Sequence, residues 1–335
     1  MRILITGAGG FLGAHTAVRL AARGHDVVPT ARRALPVPVF APLPGPHATA
    51  AASLTTLPAD LARDDLSPLL AGCDAVVHCA ARASPWGPRE IFWRDNVVAT
   101  ERLLKAAAHA ATVRRFVHIS TPSIYFDGRP QHDRTEEFTP PRRWPTAYAE
   151  SKWTAEERVR AARSLGPVIL RPRAVFGPGD RAIVPRIVAA AARGYLPLPG
   201  GGTASIDITY VDNVVDSIEA ALAAPRTLEG RAFNVTNGEP VVVRDLLTRL
   251  FAALHLDVKL VNVPRTLALA AASFSEALAK LRPRQPEPRL TKYGVGLLAT
   301  SQTLSIAAAR EALGFEPAVS VADGLERYAR WWKTQ

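Results

Sequence analysis

The residues of this chain best suited to move a proton are a tyrosine and a lysine four positions apart, in Tyr148-Ala149-Glu150-Ser151-Lys152. On a helix, positions i and i+4 share a face, so phenol and ammonium can act together. A free phenol ionises at about pH 10, and acid–base work near neutrality needs a neighbouring cation that favours the phenolate; Lys152 is the cation at hand. Upstream, the apolar run Phe116 to Ile119 reads as a strand ending in Ser120-Thr121. Either hydroxyl stands where it can orient a carbonyl for protonation. YxxxK also arises by chance on solvated helix faces; its position after a hydroxyl-ended strand is what gives it chemical meaning.

A second chemical signal is Thr6-Gly7-Ala8-Gly9-Gly10-Phe11-Leu12-Gly13, directly after the first apolar run. Gly7 permits a tight turn, Gly10 lets a pyrophosphate approach the backbone, and Gly13 lets the helix pack closely on the strand. The free N–H groups at the helix start, around Phe11 and Leu12, favour an anion. The strand, turn and helix context predicts a dinucleotide site rather than a merely structural turn. At the end of the second strand, Val27 to Arg33, the acidic residue that would grip the ribose hydroxyls of NAD is missing. Arg32, with Arg33, suits a 2′-phosphate, so NADP(H) is the expected cofactor and NAD(H) the second choice; the alternative is a pair of solvated loop arginines. Asp60 and Leu61 are expected to border the adenine.

These residues need a scaffold, and short apolar runs alternating with helical patterns supply one. Ile3 to Ile5, Val27-Val28, Ala75 to Cys79, Phe116 to Ile119 and Val168 to Leu170 alternate with Phe11 to Arg23, Glu101 to Ala111 and a helix from about Thr146. That is the pattern of an α/β fold, a Rossmann-type doubly wound parallel sheet, here with a smaller mixed α/β C-terminal substrate domain. The expected division is 1–172 for the NADP-binding domain and 173–335 mainly for substrate, with segments after 205 free to return to the sheet. In the second part, helices are expected at Val184 to Arg193, Val214 to Ala224, Val243 to Leu254 and Val321 to Trp332, and strands at Ile206 to Val211 and Phe233 to Val235. The prolines between Ala34 and Pro58 stand too close for regular structure, which predicts a surface loop. A second proline-rich patch runs from Arg282 to Pro288.

Composition narrows the partners. The net charge of +11 comes mostly from dispersed arginines with no like-charge block or interleaved aromatics, which argues against nucleic acid. Cys73 and Cys79 read as small residues of one buried strand, without redox or metal spacing, and the histidines lack ligand spacing as well, so no metal is expected. The start of the chain has no secretory pattern, which makes the cytoplasm the default location. No run reaches the length of a membrane span; Leu267 to Leu281 is the nearest and leaves room for a peripheral membrane-surface helix.

With these motifs in order, the chain resembles the extended short-chain dehydrogenases/reductases. TGAGGFLG, Asp60-Leu61, His78-Cys79-Ala80-Ala81, Asn96 to Thr100, YAESK, Leu170 to Asp180 and Thr209 to Asn213 carry the likeness across nearly the whole chain. Ala80 to Gly87 and Ser120-Thr121-Pro122-Ser123 are similar to the 3β-hydroxysteroid dehydrogenase family and to bacterial 2-alkyl-3-oxoalkanoate reductases. The resemblance implies Tyr148 as acid–base residue, Lys152 as its modulator and Thr121 as the third catalytic member, with Ser120 the alternative. It also implies Ala80 and Pro172 beside the cofactor, and a homodimer formed through the Tyr148 helix and the helix near Glu101. Sugar-nucleotide epimerases of this superfamily carry an Asn after the strand ending at Arg171 and an Arg before the Tyr-Val-Asp segment; here Arg173 or Ala174, and then Ile206, stand there. An apolar Ile206 does not hold a pyrophosphate, which predicts a small hydrophobic ketone or alcohol with at most one anionic group. Arg173 is the candidate partner for that group, or else a surface or interdomain ion pair. Trp86 and Ser123 complete the expected pocket, with plain packing the alternative for Trp86. The expected activity is NADP(H)-dependent interconversion of ketone and secondary alcohol on a 3-keto/3-hydroxy acid or steroid-like substrate. A nucleotide-sugar epimerase/dehydratase, and an NADP-sensing regulator without turnover, are the competing readings.

Overall fold

A computed structural model of the chain describes residues 1–42, 46–282, 286–288 and 290–335. Seven strands, β1 (Arg2–Thr6), β2 (Asp26–Ala31), β3 (Leu57–Pro58), β4 (Ala75–His78), β5 (Arg115–Ile119), β6 (Pro167–Pro172) and β7 (Ala232–Val235), pair in parallel in the order 3-2-1-4-5-6-7. The helices that matter here are α1 (Phe11–Ala22), α2 (Ala99–His109), α3 (Ala147–Ala161), α4 (Val211–Ala223), α5 (Arg265–Leu281), α6 (Lys292–Ala299) and α7 (Val321–Trp332).

Strands covered on both faces are apolar at successive positions, and alternation sends each side chain to one of two cores. Ile3, Ile5, Val77, Val117 and Leu170 meet Ala14, Ala17 and Val18 of α1 and Val214 and Ile218 of α4 on one face. Leu4, Val76, Phe116 and Ile169 meet Leu103, Leu104 and Ala107 of α2 and Val159 of α3 on the other. The sheet is thus the doubly wound α/β layer that the alternating pattern predicts. Its order reverses between β1 and β4, the point where such sheets open a crevice for ligands.

The run Phe233 to Val235 is one of the segments after 205 that return to the sheet, as its edge strand β7, in register with β6 through Ala232↔Ile169 and Val235↔Pro172. The proline-rich stretch is more ordered than its prolines suggest. Ala48–Ala52 is a short helix, Leu57–Pro58 extends the sheet, and Val37 and Ala51 are buried. An edge strand tolerates proline because its outer N–H has no ladder partner. Residues 43–45 of that stretch, and 283–285 of the second proline-rich patch, lie outside the described residues. Cys73 and Cys79 flank β4 instead of lying within it, and both are free thiols.

The rest of the chain forms small sheets. Val241–Val242, Ser205–Ile206, Gln302–Leu304 and Gln131–Arg134 make one of four strands, so a segment from the first half is bound to one from the end. The expected extended run around 206–211 is two short strands, Ser205–Ile206 and Thr209–Tyr210, and α4 begins at Val211. Trp331 and Trp332 pack on Tyr328 within α7, and Trp331 also meets Phe40. Among the described residues no helix is long and apolar enough to cross a membrane. Helix α5 nonetheless leaves Leu267, Phe274, Leu278 and Leu281 exposed along one face.

Candidate functional site

The carboxyl ends of β4, β5 and β6 converge on the N-terminal turns of α3. That helix starts where Thr146, in extended backbone, accepts the N–H of Ala149 at 3.1 Å through its hydroxyl. The cap fixes Tyr148 in the first turn and Lys152 one turn further along the same face. The Thr121 hydroxyl stands beside the Tyr148 phenol, whereas Ser120 donates its hydroxyl to Glu156 at 2.6 Å and is consumed there. The structure therefore brings Thr121, and not Ser120, to the phenol. Burial pushes the Tyr148 phenol up to about 12, with the Thr121 hydrogen bond opposing the shift.

Lys152 is buried and donates to the carbonyl of Ile119 at 2.6 Å, with His118 Nε2 3.5 Å away. Burial pushes its ammonium down to about 8, against the fields of Glu156 and Cys79. The Lys152 ammonium is aimed at the end of β5, one helical turn from Tyr148 on the same helix. His78 and His118, set aside in the sequence, are partners across β4 and β5 with ring centroids 5.4 Å apart. Burial, then the Lys152 charge, pushes His78 down to about 3 and His118 well below its ordinary value, so both are neutral at physiological pH.

Behind Lys152 lies a buried network that spacing did not suggest. Glu156, one turn beyond Lys152, pairs with Arg171 of β6 and with Arg160 at 2.7 Å. Burial opposes ionisation of Glu156, but Arg171, Ser120 and Arg160 outweigh it and hold its carboxyl below the ordinary value. Arg171 also donates to Tyr125, whose hydroxyl donates to Asn234 of β7 at 2.9 Å. The network ties α3 to β6 and β7 and so fixes where the Tyr148 face points. Asn96 adds a tie from the other side, donating to Ser151 at 2.9 Å and accepting the Arg82 N–H at 2.7 Å.

The glycine turn has the geometry of a cofactor cradle. Gly7 has φ +74°, and a Cβ there would stand 2.8 Å from the Ala80 nitrogen; at Gly13 it would stand 2.2 Å from Gly7 O. Both positions exclude a side chain, so β1, α1 and the loop bearing Ala80 approach one another backbone to backbone. Gly10 caps α1 in extended conformation, leaving the first-turn amides of Phe11 and Leu12 at the mouth of the crevice. Arg32 and Arg33 are exposed at the end of β2, and neither side chain makes a hydrogen bond or ion pair among the described residues. Asp60 accepts the Ala62 N–H at 3.0 Å and Leu61 is buried beside it. Pro172 closes β6, at the same end of the sheet.

On the side facing the C-terminal segments, Thr121 Oγ1 donates to Ser123 Oγ at 3.0 Å, and Tyr293 of α6 donates to Ser123 Oγ at 2.8 Å. Tyr293 is held edge-on by Phe126 with centroids 5.1 Å apart. Arg173 is buried rather than on the surface; it donates to Gln302 at 2.5 Å and forms no ion pair among the described residues. Trp86 is half-buried on the loop after β4, its N–H on Ser84 Oγ at 3.2 Å. Phe92 is buried, its ring centroid 6.4 Å from that of Tyr148. Ala174 has φ +43°, a conformation that asparagine adopts more readily than alanine. Ile206 is half-buried in its strand. Among the described residues no three His, Cys, Asp or Glu side chains are grouped to hold a metal.

A parallel sheet with a glycine cradle at its switch point and a Tyr–Lys pair at its strand ends defines a nicotinamide-dependent enzyme class. Residues 3–236 match the NAD dependent epimerase/dehydratase family, to which the chain belongs. It is 33% identical to the 2-alkyl-3-oxoalkanoate reductase of Stenotrophomonas maltophilia, covering 98% of each chain. It is 30% identical to human sterol-4-alpha-carboxylate 3-dehydrogenase, decarboxylating, over 97% of this chain and 87% of that one. Among solved structures, MoeE5 in complex with UDP-glucuronic acid and NAD is 25% identical with a TM-score of 0.73, over 100% of this chain and 99% of that one. The chain is an extended short-chain dehydrogenase/reductase, an oxidoreductase that acts on hydroxyl and keto groups with a nicotinamide cofactor.

Proposed function

We propose that the chain reduces a ketone, or oxidises the corresponding secondary alcohol, on a hydrophobic 3-keto/3-hydroxy acid or steroid-like substrate, with NADP(H) preferred. The observation that carries this reading is the Tyr148 phenol beside the Thr121 hydroxyl and one helical turn from a buried lysine, with Ser120 engaged elsewhere. A phenol pushed up to about 12 carries its proton at neutral pH and can deliver it to a carbonyl oxygen held by Thr121. Lys152, fixed by Ile119 O, keeps further N–H donors for ribose hydroxyls. A bound nicotinamide supplies or accepts the hydride. The cradle of Gly7, Gly10 and Gly13 fits its pyrophosphate, and the exposed Arg32 fits a 2′-phosphate.

The hydrophobic substrate is supported by the lack of an amide at Arg173 or Ala174 and of a cation at Ile206. The same reading takes the protein as a cytoplasmic homodimer formed through α2 and α3, divided near residue 172, with the exposed stripe of α5 available for peripheral membrane contact. The test is the change in NADPH absorbance with 2-alkyl-3-keto acids, 3-ketosteroids and aliphatic ketones, with NADH in parallel. Tyr148→Phe is expected to abolish turnover and keep NADPH binding; unchanged biological function in that variant would instead identify a cofactor sensor.

A further inference from the structure

Arg173 is a buried cation with few partners. It is 7% exposed, and one of its donors reaches Gln302 Oε1 at 2.5 Å. Its Nε is buried without a partner, and no carboxylate lies within ion-pair distance among the described residues. Asp207 is the acid whose field it feels, but that carboxylate turns Oδ2 to the Leu304 N–H at 2.6 Å and leaves Oδ1 unpartnered. A buried charge so incompletely matched is unfavourable unless an anion joins it.

Its position says which anion. Hydroxyls run from Tyr148 to Thr121, from Thr121 to Ser123 at 3.0 Å and from Ser123 to Tyr293 at 2.8 Å. Tyr293 in turn lies within the field of Arg173. Proton donor and unpaired guanidinium therefore belong to one polar wall, with Phe126 beside it.

We infer that Arg173 receives a carboxylate carried by the substrate, so that the enzyme acts on a keto or hydroxy acid in preference to a neutral ketone. Gln302 is the positioning residue that holds the guanidinium. The inference deepens the proposed function and rests on it for the reaction, but not for the anion site.

The experiment measures calorimetric binding of decanoate and of decan-1-ol to the protein loaded with NADP+, for wild type, Arg173→Met and Arg173→Lys. Decanoate is expected to bind about tenfold or more tightly than the alcohol, as one charge-assisted contact provides. Arg173→Met should erase that preference with alcohol affinity unchanged, and Arg173→Lys should keep part of it. Equal affinities in the wild type, which need no variant to fold, overturn the inference, as does an equal loss of both ligands in Arg173→Met. Oxidation of 3-hydroxydecanoate and of its methyl ester separates the two levels. Turnover of neither, with the decanoate preference intact, refutes the reductase reading and leaves the anion site standing. Equal kcat/KM for acid and ester refutes the anion site and leaves the reductase standing.

Discussion

Replacing Lys152 by Met tests whether the lysine is buried as a strained cation. Burial lowers its ammonium from 10.5 to about 8. Between those values the unfolded chain holds a proton that the folded chain has lost, so this group makes stability rise with pH across the window from about 8 to 10.5. Below pH 8 both states are protonated and the cost of burial is fully present. Summing the two titrations from pH 7 to pH 9.5 gives a gain of about 2 kcal/mol that the wild type has and Lys152→Met lacks. The bond to Ile119 O is lost at either pH, and the other groups that titrate in this range do so in both proteins, so they cancel in the difference. Urea unfolding of wild type and variant at the two pH values measures it. A difference between the two proteins that does not change with pH would show that Lys152 titrates as if solvated, and would refute this account of the site.

Four further outcomes follow from the same geometry. Glu156→Gln leaves Arg171 buried without its carboxylate and should lower unfolding free energy by about 3–5 kcal/mol, read by urea titration at neutral pH. Arg32→Ala should raise the Kd for NADPH about tenfold or more and leave that for NADH unchanged in a fluorescence titration; equal weakening of both would place the arginine away from the 2′-phosphate. Thr121→Val should lower kcat by about a hundredfold with little change in melting temperature. Ser120→Ala should do the reverse, lowering stability by about 1–3 kcal/mol because Glu156 loses a buried donor.

What could be read from the sequence was local. The glycine turn lies within eight residues, and Tyr148 and Lys152 lie one turn apart, so spacing alone specified their relation. The choice between Ser120 and Thr121 was not local, because it depends on which hydroxyl faces Glu156. Glu156 itself was within reach, since it repeats the four-residue step beyond Lys152, but its partner Arg171 becomes visible only when β6 is set beside β5. Tyr293 and Gln302 come from beyond a proline-rich patch, and meet Ser123 and Arg173 across 170 and 129 positions of chain. No periodicity carries such information. His118 was passed over for want of ligand spacing; its neighbour is an ammonium brought by a helix more than thirty positions away.

The buried arginines show how partner counting separates support from recognition. Arg171 and Arg173 are two residues apart at the end of one strand, and both are almost wholly buried. Arg171 has a carboxylate, a phenol and the Glu136 carbonyl to satisfy it, so nothing further is needed to hold its charge. Arg115, buried and in no ion pair among the described residues, is served by the carbonyls of Gly166 and Ala224 at the opposite end of the sheet. Arg173 has one amide oxygen and a field from an acid turned elsewhere. Of the three, Arg173 is the one whose field reaches Tyr293 and through it the hydroxyls of Ser123 and Thr121, and under the proposed function a fold in which chemistry clusters at the carboxyl ends of parallel strands gives that difference its meaning.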